Sequence, residues 1–174
     1  KTLDDAYNWR LLVEHDPVLQ GLAYNTMALA TVTRQDLPWR KVTPGKNDQL
    51  TEADREEISD HLECTYNMRY PSERRLNGVI NKSAQKHAFH PVEEYLEGLQ
   101  WDGVSRIESW LPCDQNTHTR RVARLVAIQA VARALNPGVK VDNCLILSGG
   151  EGLGKTRFIE TMSRGWHTQL GPIE

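Results

Sequence analysis

Apolar positions in this chain recur mostly at three- and four-residue intervals, the spacing of helices that turn one face inward. Leu3, Ala6, Tyr7, Leu11 and Leu12 predict a short helix over residues 3–14, ended near Pro17. The next stretch, GLAYNTMALATVT, has the Thr, Val and Tyr content of a strand, although its apolar pattern is also compatible with a helix. Pro38, Pro44 and Gly45 mark a loop. Beyond it, Thr51 and Asp54 form a variant capping box ahead of Ile58, Leu62 and Tyr66. Ser72, after Pro71, opens a further helix with Leu76, Val79, Ile80 and Ala84 on one face. His90 and Pro91 open another, with Glu93 and Glu94 favouring its first turn. Ser105 and Glu108 cap an expected short helix in SRIESWLP, stopped by Pro112. A long helix runs from about Thr117 to Leu135 and ends at Asn136-Pro137-Gly138.

After Lys140 the pattern changes. NCLILSGG is a compact apolar run ending in glycines, which predicts a buried strand feeding a tight loop, and KTRFIETMSR has helical composition. The expected fold is a mainly α N-terminal domain over residues 1–138, with one possible short strand near 22–33. Residues 139–174 would follow as the first β-loop-α unit of a truncated α/β P-loop NTPase domain.

Composition narrows the function classes. The chain has 174 residues, 39% hydrophobic and 25% charged, as expected of a globular protein. Its net charge of -2 gives no overall field favouring nucleic acid or membrane, so any such contact requires a local patch. Cys64, Cys113 and Cys144 are widely spaced without a CxxC pair, which disfavours a zinc site or disulfide framework and suits a reducing cytoplasm. The longest apolar run, LVAIQAVARAL, is interrupted by Gln129 and Arg133 and is too short to span a bilayer, so no membrane association is expected.

The strongest chemical signal is GGEGLGKT. Gly149, Gly154, Lys155 and Thr156 fill the fixed positions of G-x-x-x-x-G-K-[ST]. Glycines let successive backbone N–H groups turn towards phosphate oxygens, and the following helix adds its positive end. The nucleotide-binding segment expected here is Gly149, Gly150, Glu151, Gly152, Leu153, Gly154, Lys155, Thr156 and Arg157. Lys155 would reach the β- and γ-phosphates of ATP, and the Thr156 hydroxyl would ligate Mg²⁺; these two are the expected catalytic residues. The ordinary alternative is a glycine-rich turn that happens to end in Lys-Thr. Hydrolysis also needs an acidic residue on a later strand, often with an arginine from a neighbouring subunit. Neither is identifiable before Glu174, and Lys1 is not a start methionine, so the expectation is a fragment that binds ATP without turning it over.

With the loop placed, the chain resembles the virulence-associated protein E family of phage and prophage replication proteins. The resemblance rests on LAYN at Leu22–Asn25, LPW at Leu37–Trp39, FHPVEEYLEGLQWDGVSRIESWL from Phe89, RALNPGVKVD from Arg133, and LILSGGEGLGKT from Leu145. Leu50 stands where that family tends to have tryptophan. The resemblance implies a P-loop ATPase like that of superfamily 3 helicases, often fused to a primase, acting on DNA as a cytoplasmic homo-oligomeric ring. Two alternatives remain: an AAA+-type remodelling ATPase that does not act on DNA, and a non-catalytic helical interaction module.

Other residues have simpler explanations. His90-Pro91 reads as a helix entry, and Trp101-Asp102-Gly103 as a turn with a packing indole. Trp39, Trp101 and Trp110 are expected to pack in the core rather than stack on bases. Arg120, Arg121 and Arg124 sit in the first turns of the long helix, where each cation opposes the dipole by roughly 0.3–1 kcal/mol. The body of that helix is apolar almost all round and is expected to be buried. The three arginines therefore meet either an outside anion, such as DNA phosphate, or an internal partner such as Glu108 or Asp114.

Overall fold

The computed structural model describes residues 6–69, 72–168, 170 and 171. Leu3 and Pro71, both used in the helix expectations above, lie outside them. The chain divides into two compact units, Lys1–Gly98 and Leu99–Glu174. The division lies well before the expected composition boundary at residue 138, so the long helix is part of the second unit.

The first unit joins four helices to a small sheet. Helix α1 (Ala6–His15) turns Trp9 and Val13 inward. The ambiguous stretch after it is a hairpin: β1 (Leu22–Asn25) pairs antiparallel with β2 (Ala30–Thr33), Leu22 opposite Thr33. One long element is impossible here because the Asn25 Oδ1 accepts from the Met27 and Ala28 N–H groups, each at 3.0 Å, and turns the chain. Strand β3 (Ala88–Phe89) adds to β1 in parallel, giving the order β2-β1-β3.

Helix α2 (Glu52–Tyr66) starts at the expected capping box, with Thr51 and Asp54 satisfying each other's backbone N–H groups. Asp54 also leaves its own helix. Its buried carboxylate accepts from Nε and Nη2 along one edge of the Arg40 guanidinium, at 2.7 and 2.8 Å, and from the Trp39 indole at 2.9 Å. Burial works against this charge, but the Arg40, Thr51 and Trp39 donors outweigh it and hold Asp54 well below the usual carboxylate range. Helix α3 (Glu73–Gln85) buries Leu76, Val79, Ile80 and Ala84, the face its spacing predicts. Helix α4 (Pro91–Glu97) has His90 as its N-cap, the ring nitrogen accepting from the Glu93 N–H at 3.4 Å. The core is sealed by Trp9, Leu19, Ile58, Leu62 and Ile80, with Trp39 and Tyr66 packed against its margin.

The second unit holds α5 (Thr117–Leu135) and α6 (Lys155–Ser163). Asn116 caps α5 by accepting from the His118 and Thr119 N–H groups, while the Thr119 hydroxyl accepts from the Asn116 N–H. Four expectations need correction here. Residues 105–112 form no helix. The Arg106 guanidinium binds both oxygens of Asp102, at 3.0 and 2.7 Å, and Asp102 also accepts from the Val104 N–H, fastening a turn across the would-be helix start. With Pro112 as a stop, too few residues remain to repay helix nucleation. Residues 143–147 run without a β-ladder, because no strand among the described residues of this unit pairs with them. The body of α5 is not buried: among its residues only Ala123 is, and Ile128 is 50% exposed. Trp101 is 79% exposed, its indole donating to the Val104 carbonyl instead of entering a core.

Candidate nucleotide-phosphate site

The loop from Gly149 to Gly154 leads directly into α6, with Lys155 at the first helical position and Gly154 as the N-cap. Gly152 and Gly154 have φ of 76° and 75°, the left-handed region that a side chain makes costly. Gly149 also has a positive φ, 156°, and a Cβ there would stand 3.1 Å from Leu153 Cδ1, the end of a flexible side chain. Gly154 offers no side-chain oxygen to the first N–H groups of α6, so the end of the helix is left without a side-chain cap.

The Lys155 side chain folds back over this loop. Its Nζ donates to the carbonyls of Gly149 at 3.0 Å and Gly150 at 2.6 Å. Thr156 and Arg157 are exposed at the start of α6, as are Glu151 and Leu153 in the loop. All the expected loop residues therefore lie on one continuous turn-and-helix unit. Among the described residues no group of three or more His, Cys, Asp and Glu is placed to hold a metal ion.

The arginines of α5 separate into two kinds. Arg124 lies 3.8 Å from Glu108, with both side chains more than half exposed, a spacing and exposure that stabilise little. Arg120 and Arg121 are exposed and have no acidic partner among the described residues, and Asp114 pairs with none of the three. The internal ion pair thus accounts for Arg124 alone.

Two features near the loop have no clear signature in the sequence. Trp110 stacks on Phe158 of α6, ring centres 5.7 Å apart and 18° from parallel, and its indole donates to the Ala123 carbonyl of α5 at 3.0 Å. One side chain thereby ties the segment before α5 to both helices. Beside the loop is a cavity of about 280 Å³, lined by Leu111, His118, Val122, Leu145, Leu153 and Lys155, among others. Sequence spacing could not reveal either feature, because the contributing residues come from four separate segments.

A glycine-rich loop that opens a helix with lysine first is the class of structure this unit presents. Residues 96–173 match the family model of the virulence-associated protein E-like domain. The matched segment coincides closely with the second compact unit. No curated protein matches the sequence significantly. Among the described residues no helix is long and apolar enough to cross a membrane.

Proposed function

We propose that this chain binds the phosphates of Mg-ATP through Gly149–Thr156 as part of a phage-type DNA replication ATPase, a helicase or primase-helicase. The observation that carries this is the position of Lys155, whose ammonium is folded over the glycine loop at the head of α6. Its two carbonyl partners are weak substitutes for phosphate oxygens, so an arriving triphosphate can take over the ammonium while the loop and helix N–H groups take the remaining oxygens. Thr156 and the phosphates together would hold Mg²⁺, which neutralises charge on the transferring group when bound. Arg157 follows on the same first turn and adds positive charge. The exposed Arg120 and Arg121 supply the contact to DNA phosphate, and self-association into a ring would complete the site between subunits.

Two measurements test this. Mg-ATP binding by the chain is expected to be weak and to be lost in Lys155→Ala, with the helical circular dichroism unchanged. Undiminished binding by that variant would remove the assignment. Replacing Arg120, Arg121 and Arg124 by glutamine should weaken DNA binding across sequences and reduce its salt slope by up to about three contacts' worth, nearer two if Arg124 stays with Glu108. ATP binding without any DNA affinity would favour the remodelling ATPase over the replication protein.

A further inference from the structure

We infer that the cavity beside the loop is the nucleoside subsite, taking the base and ribose of the nucleotide whose phosphates the loop holds. This rests on the phosphate assignment above and goes beyond it by naming what lies at the other end of the ligand. Lys155 belongs to both features: its ammonium crosses the loop, and its side chain forms part of the cavity wall. A ligand anchored at the lysine therefore has its remaining part next to this space. At about 280 Å³ the cavity falls just short of the ~300 Å³ at which drug-sized pockets begin, a space for a nucleoside and not for a folded chain.

The lining gives the chemistry of recognition. Leu111, Val122, Leu145 and Leu153 offer aliphatic surface against which the flat face of a base can be buried. Besides Lys155, the polar lining is Cys113, His118, Thr119 and Ser148, side chains with one or two hydrogen-bonding atoms each. The Thr119 hydroxyl already bonds the Asp114 and Asn116 carbonyls, so it is committed to capping α5. No lining side chain is an amide or a carboxylate, the groups that read a base edge most selectively. A site that holds a base by apolar contact discriminates poorly between bases, unlike one built to hydrogen-bond a particular edge. The subsite should thus accept ATP, GTP and CTP with affinities within about tenfold of one another.

The test compares the 174-residue chain with Val122→Phe, which places a ring in the cavity away from the loop. Equilibrium binding is measured for Mg-ATP, Mg-GTP and Mg-tripolyphosphate. Wild type should bind ATP about tenfold or more tightly than tripolyphosphate, and Val122→Phe should remove that advantage while leaving tripolyphosphate within about twofold. Equal loss of both ligands in Val122→Phe, or no loss of ATP, overturns the subsite and leaves the phosphate loop standing. Failure of wild type to bind tripolyphosphate at all overturns the phosphate assignment and the subsite with it. Should Val122→Phe lose helical signal, photolabelling of wild type with 8-azido-ATP decides the matter. Adducts within residues 111–122 or 145–148 support the subsite, and adducts confined to other segments refute it.

Discussion

The two units solve the problem of burial very differently. The first, among its described residues, packs fifteen buried hydrophobic residues, from Trp9 to Ala84, around a sheet and three of its helices. The second, among its described residues, has two, Leu111 and Ala123, although its longest helix carries Leu125, Val126, Ile128, Val131 and Leu135. Yet the second carries the glycine loop and the family match. Apolar composition alone therefore does not make a core. A core needs opposing faces, and among the described residues α5 meets the Trp110 indole and helps to line a small cavity while most of its side chains stay exposed or half-buried. The first unit is organised around a core, and the second presents an exposed glycine-rich loop.

Substitutions can sharpen or break that contrast. Trp9→Ala removes the largest sealed side chain and should cost on the order of 3–5 kcal/mol in denaturant unfolding of the chain. Asp54→Asn strands the Arg40 guanidinium and should cost about 3 kcal/mol. The same carboxylate gives an acid signature. Its folded pKa is depressed, so its stabilisation is complete at neutral pH, begins to fade below about pH 4, and is lost as pH falls further. Asp54→Asn should flatten that acid limb, and an unchanged slope would show that other groups control it. In the second unit Trp110→Leu removes the stack on Phe158 and the bond to Ala123, for about 1–2 kcal/mol, read as lost thermal stability of the α6 amides by hydrogen exchange. Smallest of all, Ile128→Ser on the exposed face of α5 should fall within about 0.5 kcal/mol of wild type. A cost as large as that of Trp9→Ala would mean that this face is covered in solution and would erase the contrast.

How much could be read in advance follows the same division. Capping neighbours mark the starts of α2 and α4, Thr51 with Asp54 and His90-Pro91 with Glu93, whereas apolar spacing marks α3 and α5, where Ser72 forms no side-chain cap and the Asn116–Thr119 box is visible only in the structure. The hairpin was obscured because its turn depends on one asparagine side chain, and its strands are too short to show alternation. SRIESWLP failed as a helix because the Asp102–Arg106 pair just upstream bends the chain first. The loop residues were legible since their positions are fixed by local backbone geometry, whereas the cavity and the Trp110–Phe158 stack arise from tertiary approach and leave no periodic trace.

Asp54 closes the capping box of α2 and receives Arg40 and Trp39 from the loop before it. Helix ends ordinarily fray within their first turn, opening and closing many times for each unfolding of the whole domain. Here the first turn of α2 cannot open without releasing a buried ion pair and an indole. Local fluctuation is thereby converted into a collective one, and the beginning of this helix moves on the clock of the whole unit.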